Sequence, residues 1–187
     1  MRLNLGCGNI KIDGFLNVDV SEVCKPDMVL DLEKTPWPWK DSVVEEVRLI
    51  HVLEHLGADT NIFLNIMKEL YRVCKDNAKI TIHVPHPRHD VYLIDPTHVR
   101  PILPETLELF SKAKCTEWQS NEMATTPLAL YLDVDFEITK VEMELDPDWK
   151  ITAQDKKLTQ ADIIQAITRY NNVVSEVMME LIANKPR

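Results

Sequence analysis

The sequence predicts an α/β protein: a single domain over residues 1–187 whose sheet is mostly parallel and covered by helices. Short apolar runs rich in Val, Ile and Leu recur through the N-terminal half, interleaved with a strongly amphipathic stretch. Strands this apolar belong to sheets buried on both faces. Glycine is also concentrated: Gly6, Gly8 and Gly14, three of only four, fall within the first fifteen residues. That is where the backbone is expected to turn tightly or approach a ligand. A chain of 187 residues can enclose one proper core.

Taken in order, RLNLG (2–6) reads as a strand ending at Gly6, FLNVDV (15–20) as a second and DMVLDL (27–32) as a third. VEEVRLIHV (44–52) is the fourth strand, with His51 at its end, and KITIHVP (79–85) the fifth. Between them, Ile62, Phe63, Ile66, Met67, Leu70 and Val73 recur at helical spacing in TNIFLNIMKELYRVCK (60–75). Pro85 and Pro87 stop the fifth strand, and a proline-rich loop runs from His86 to about Pro104. PETLELFSKAK (104–114) reads as one short helix with Pro104 in its first turn. SNEMATTPLALYLD (120–133) has no clear period. FEITKVEMEL (136–145) alternates but changes phase near Lys140, as a bulged strand does. TQADIIQAITRY (159–170) is helical, and NVVSEVMMELIANK (172–185) is a long final strand. Repeats, low-complexity segments and domain linkers are absent from this pattern.

Composition narrows the function. Formal net charge is −9 and Lys and Arg form no cluster, which argues against a nucleic-acid partner and favours a neutral or cationic small ligand. No run of about 18 apolar residues is present, so no membrane association is expected. The first residues lack the apolar core of a signal peptide. Cys7, Cys24, Cys74 and Cys115 are scattered, with no Cys-x-x-Cys pair, and read as reduced thiols of a cytoplasmic protein.

Polar residues recur at the ends of apolar strands: Asn4 within the first, Asp19 closing FLNVD and Asp31 closing DMVLD. In an open α/β sheet, ligands bind beyond the carboxyl ends of the strands, where strand order reverses. A carboxylate after the second strand can accept hydrogen bonds from both hydroxyls of a ribose. A Gly-x-Gly turn lets the backbone come close to the ligand, and a carboxylate after the third strand can receive an adenine amino group. Aspartates after strands are also common turn formers, but the ordered set points to an adenosine-containing ligand.

These residues resemble the S-adenosylmethionine-dependent methyltransferases of the seven-stranded, Rossmann-like class I, and among them the small "methyltransferase type 11" group. The resemblance rests on LNLGCGN (3–9), NVDV (17–20), DLEKTPWPW (31–39), HVLEHL (51–56), FLNIMKELYRVCKDNAKITIHVPHP (63–87) and DPTHVRPILPETLELF (95–110). It covers roughly residues 2 to 110, and the last strand pair fits the family's closing hairpin more loosely. The resemblance implies a Rossmann-like sheet with an antiparallel last strand, S-adenosylmethionine as cofactor, and methyl transfer to an acceptor it does not identify; the charge balance makes a small molecule the expected acceptor. It also implies cofactor contacts. Asn4 occupies the first motif's acidic position, and Leu5, Gly6, Cys7 and Gly8 pass under the methionyl part. Asp19, followed by Val20, binds the ribose. Asp31 and the backbone of Leu32 hold adenine, and His51 sits beside the sulfonium. Three departures stand out. Asn4 replaces the usual acid, Ile10 stands at the third glycine position, and only ten residues separate Gly8 from Asp19. Parallel strands generally need a crossover of about a dozen residues or more. The first crossover is therefore expected to be a loop with at most one helical turn.

The stretch HVLEH (51–55) also fits His-x-x-Glu-His, in which two histidines on one helix face bind zinc. Because VEEVRLI reads as strand, His51 and His55 are expected to point apart and to bind no metal. Glu54 and His55 are then expected to fix the turn by hydrogen bonds. Trp37 and Trp39 are expected to plug the sheet edge and Cys7 to act as a small spacer. The loop holding His86, His89, Asp95, His98 and Arg100 is the candidate acceptor site, with His86 or His98 as a base for a hydroxyl acceptor. Asp95 and His98 could equally serve only to tie the loop down. Two other classes stay open: a non-catalytic cofactor- or partner-binding module, and a zinc hydrolase built on HVLEH.

Overall fold

The computed structural model describes residues 1–186. One seven-stranded sheet organises them. Its strands are β1 (Arg2–Leu5), β2 (Leu16–Asp19), β3 (Met28–Val29), β4 (Val44–Ile50), β5 (Cys74–Pro85), β6 (Phe136–Leu145) and β7 (Val174–Ala183). They lie in the order β3-β2-β1-β4-β5-β7-β6. The first five are parallel to one another, and β7 runs antiparallel to both β5 and β6. The expected mostly parallel sheet with an antiparallel last strand is thus present. Strand order reverses between β1 and β4, so a crevice opens at their carboxyl ends.

Helix α1 (Thr60–Val73) links β4 to β5. Asp59 caps it, accepting from the amides of Asn61 and Ile62. Phe63, Ile66, Met67, Leu70 and Val73 are buried, as their spacing predicts. Against them lie Leu3, Leu5, Val47, Leu49, Ile80 and Ile82 from the central strands. Trp37 and Trp39, expected to plug an edge, pack edge-to-face within this core at 5.8 Å.

The C-terminal half corrects several boundaries. Between β5 and β6 lie α2 (Asp90–Leu93), α3 (Pro104–Glu108), α4 (Lys112–Ser120) and α5 (Leu128–Leu132). The single helix expected over 104–114 is therefore two. Phe110 is fully buried at the break, and Ser111 starts the second helix by accepting from the Lys114 amide. Between β6 and β7 come α6 (Pro147–Asp155) and α7 (Gln160–Arg169). The first was not anticipated, although Asp146-Pro147 is a helix-start signal: Asp146 caps and Pro147 fills the first turn. Of the two register shifts in the β6–β7 pairing, one lies between Ile138 and Lys140, where the phase change was expected, and the other between Glu144 and Leu145.

The long β3–β4 connection is clamped by one ion pair. The Glu69 carboxylate takes both Nε and Nη2 of Arg72 at 2.8 and 2.7 Å, and accepts the Trp37 amide at 2.6 Å. Arg72 also donates to the carbonyls of Trp37 and Trp39. Hydrogen bonding from Arg72, then from the Trp37 amide, holds the Glu69 carboxyl below its ordinary value against the opposing effect of burial. A depressed folded-state pKa adds stability above the unfolded value of about 4.3, and that stability is lost as pH falls through the lower folded value. Glu69→Gln is therefore expected to cost about 1.5–3 kcal/mol at neutral pH, the range for hydrogen bonds to a charged group. Urea unfolding of parent and variant across pH should show the gap closing only in acid.

Candidate functional site

The crevice at the β1/β4 reversal is a cleft of about 500 Å³. It is lined by Gly6 and Gly8 from the β1–β2 loop, and by Asp19 and Val20 at the end of β2. Leu30, Asp31, Leu32 and Glu33 follow β3, while His51, Val52, His55 and Leu56 follow β4. Of the ten cofactor positions expected from sequence, seven line it. The other three, Asn4, Leu5 and Cys7, are buried beneath.

Asn4 has a different task. It sits beside Asn17 in the parallel register of β1 and β2. Its amide nitrogen donates to the Ile10 carbonyl at 3.0 Å and to Asn17 Oδ1 at 2.9 Å. Asn17 Oδ1 also accepts the Ile12 amide, and Asn17 Nδ2 donates to Asp27 Oδ2 at 2.8 Å and to the Phe15 carbonyl at 3.3 Å. The expected helix-free crossover is present, and these two amides bind backbone groups that a helix would satisfy itself. A carboxylate at position 4 could not donate to two facing oxygens, which is the physical reason for asparagine there. Lys11 closes the loop from outside, donating to the carbonyls of Gly8 and Cys24.

Both loop glycines have positive φ. A side chain on Gly6, at φ 64°, would start 2.4 Å from a Val52 methyl. On Gly8, at φ 48°, it would meet open space. Asp19 reaches across, its two oxygens accepting the Gly8 and Ser21 amides at 2.8 Å each. A carboxylate has about four acceptor sites, so it retains capacity for two further donors. The Asp19 side chain therefore also braces the glycine turn. Asp31 Oδ1 accepts the Glu33 amide, and the Trp37 indole holds the Leu32 carbonyl at 3.0 Å.

Strand β4 ends at Ile50, one residue earlier than expected, and His51 adopts a left-handed φ of 54°. Its amide still donates to the His83 carbonyl. The chain then enters a 3₁₀ turn, Leu53–His55. His51 Nε2 lies 2.9 Å from Glu176 Oε1, and Nδ1 lies 3.6 Å from Glu54 Oε1. Glu54 first, and Glu176 after it, raise the His51 pKa above the ordinary histidine value, against the effect of burial.

A second cavity, of about 580 Å³, adjoins the cleft. His51 and His55 line both, and Glu54, Pro85, Val91, Ile94, Asp95, Pro96 and His98 complete its wall. His98 thus faces this space, whereas His86 does not line it. His86 is buried with Nδ1 accepting the Arg88 amide, and burial lowers its pKa. His89 caps α2 and ties it to Asp146. Two expectations for the HVLEH turn need correction. Neither Glu54 carboxylate oxygen has a hydrogen-bond partner among the described residues, so that side chain does not fix the turn. Only its carbonyl does, accepting from the amides of Val99 and Arg100. His55 does not point away, for it lines the same cleft as His51 and bonds Thr97 Oγ1 at 2.9 Å.

No protein-family model and no curated protein matches the sequence. Solved structures do match the fold. An S-adenosylmethionine-dependent methyltransferase from Archaeoglobus fulgidus superposes with a TM-score of 0.61 at 19% identity, covering 98% of this chain and 85% of the other. The fold is that of the class I S-adenosylmethionine-dependent methyltransferases. A methyltransferase of the same dependence from Mesorhizobium loti gives 0.51 at 16% identity, with 97% and 90% covered. The [4+2]-cyclase SpnF gives 0.56 at 14% identity, with 99% and 74% covered. At such identities the likeness is one of fold, and the fold hosts more than one chemistry. No helix among the described residues is long and apolar enough to cross a membrane.

The paired amides beneath this cleft give a direct test. Asn4→Asp turns a donor into an acceptor facing the Ile10 carbonyl and Asn17 Oδ1. It is expected to lower stability by about 1–3 kcal/mol, the penalty for unsatisfied buried polar groups, whereas Asn4→Ser should cost less. Chemical denaturation of the three proteins checks the order.

Proposed function

We propose that the protein transfers a methyl group from S-adenosylmethionine to a small molecule bound in the second cavity. One observation carries the reading: a cleft at the sheet's reversal, lined by Gly6, Gly8, Asp19 and Asp31, shares His51 and His55 with a second cavity. That arrangement suits a donor and an acceptor meeting at a shared wall.

The residues fit the cofactor. Asp19 has acceptor capacity left for two ribose hydroxyls, Gly8 leaves open space beside the backbone, and Asp31 with the Leu32 amide suits adenine. When bound, the cofactor supplies an electrophilic methyl carbon on a sulfonium. The chain's part is alignment. An acceptor lone pair forms the new bond to that carbon while the carbon–sulfur bond breaks and its electrons remain on sulfur. The acceptor's proton leaves separately, and of the two histidines expected to serve as base, His98 is the one that faces the cavity. A net charge of −9 favours neutral or cationic acceptors over nucleic acid. The sequence features of a soluble, cytoplasmic enzyme agree with this reading.

Asp19→Ala is expected to weaken binding of the demethylated cofactor by about 30- to 150-fold, corresponding to roughly 2–3 kcal/mol of charge-assisted hydrogen bonding. It should also lower stability by about 1 kcal/mol, since the Gly8 and Ser21 amides lose their acceptor. Asp31→Ala should weaken binding less, because an adenine amino group offers it one hydrogen bond. Calorimetric titration of folded protein with S-adenosylhomocysteine decides. Unchanged affinity in Asp19→Ala would remove the ribose assignment, and tight binding with no turnover on any acceptor would favour a non-catalytic module.

A further inference from the structure

We propose that Glu54, His55 and His98 form a divalent metal site on the wall of the second cavity. Each of the three can present one ligand atom, and these atoms lie within 4.8 Å of one another. Glu54 supplies the strongest reason. Its side chain is 1% exposed, yet neither carboxylate oxygen is hydrogen-bonded among the described residues. A buried carboxylate without a hydrogen bond is disfavoured, and a close cation would satisfy it. The nearest imidazole nitrogens, His51 Nδ1 and His98 Nε2, lie 3.6 and 4.0 Å from Oε1. Both distances exceed the roughly 2.7–2.9 Å of a charge-assisted hydrogen bond.

The histidine rings are set up as ligands. His98 Nδ1 lies 2.8 Å from the Tyr92 carbonyl, which can only accept, so Nδ1 carries the proton. In the neutral ring, Nε2 then presents a lone pair toward Glu54 Oε1 at 4.0 Å and Asp95 Oδ2 at 3.8 Å. A metal ion held there would take that lone pair together with a Glu54 oxygen. Thr97 fixes His55 in the same way. Its hydroxyl donates its one proton to Asp95 Oδ1 at 2.6 Å and therefore accepts from His55 Nδ1, leaving the His55 lone pair on Nε2. Anchoring one ring nitrogen to a carbonyl or to a carboxylate relay is the usual outer support of a metal-bound histidine. Tyr92 stacks on His98 at 5.1 Å and limits its rotation.

Two imidazoles and one carboxylate favour zinc or a related first-row ion over magnesium or calcium, which prefer oxygen alone. Bonds of about 2.1 Å at a tetrahedral angle would draw the donors to roughly 3.4 Å. Three protein ligands leave a position open toward the cavity, beside the exposed side chains of Val91 and Ile94. An acceptor with an oxygen donor next to an apolar body fits that space. The ion would bind the acceptor oxygen and lower its pKa, so that the proton passes to solvent and the oxygen lone pair attacks the methyl carbon. His98 then acts as a ligand rather than as a base. This role rests on the methyl-transfer reading; the metal site does not.

The test uses chelator-treated full-length protein titrated calorimetrically with zinc chloride, and separately with S-adenosylhomocysteine. One saturable zinc site is expected. It should be lost in both Glu54→Gln and His98→Ala, while S-adenosylhomocysteine binding persists in each. In metal-free protein, Glu54→Gln should leave the melting temperature unchanged or raise it, because the buried charge that is removed has no hydrogen bond to lose. Absence of saturable zinc binding, its survival in both variants, or a lower melting temperature for metal-free Glu54→Gln would overturn the site. The last result would mark Glu54 as the ion-pair partner of the neighbouring histidines. Zinc binding without S-adenosylhomocysteine binding would leave the metal site standing and remove the methyl-transfer reading.

Discussion

The hydrogen bond between Asn4 and Asn17 is the constraint on which the cleft depends. Parallel strands β1 and β2 must be joined across the sheet, and this chain does so in ten loop residues with no helix. Such a loop makes only a few internal backbone hydrogen bonds, Ile10 to Cys7 and Phe15 to Ile12, and its other inward-facing amides and carbonyls need partners. Two adjacent asparagines meet the demand from below, because an amide both donates and accepts. Everything above inherits that support. Gly6 and Gly8 hold their left-handed turns, and Asp19 is drawn across to the Gly8 amide.

The other side of the cleft is organised by charge. Glu54 is buried in the turn after β4, with His51 and His98 on either side of it and Asp95 beyond. Its carbonyl, meanwhile, docks the backbone of Val99 and Arg100, so the 95–100 segment is zipped onto the turn. Arg100 completes the junction, lying over the Phe63 ring at 4.3 Å and donating to the Gly57 carbonyl. The loop that walls the second cavity is therefore a fixed part of the fold. Its titratable groups are held at set distances, as a pre-organised site requires.

Much of this was legible in the sequence because the signals were local. Alternation and apolar runs marked all seven strands, the spacing of Phe63, Ile66, Leu70 and Val73 marked α1, and ten residues between Gly8 and Asp19 ruled out a normal crossover helix. What escaped was set by contacts distant in sequence. The split between α3 and α4 follows from burial of Phe110, which no periodicity reveals. Helix α6 did carry a readable start at Asp146-Pro147. The support role of Asn4 needed the register that places it beside Asn17. The grouping of Glu54 and His55 with His98 joins residues more than forty positions apart. The pattern HVLEH drew attention to the right turn but suggested the wrong partner, since the left-handed backbone at His51 directs that residue toward Glu176.

His51 and His55 belong to both cavities at once. A shared wall makes occupancy of the two compartments thermodynamically coupled, because whatever fills one changes the charge and freedom of the side chains facing the other. Such coupling is reciprocal by necessity. If the molecule in the β1/β4 cleft alters the affinity of its neighbour by some factor, the neighbour alters affinity for the first by the same factor. The place where that factor would be set is the shared pair, His51 and His55.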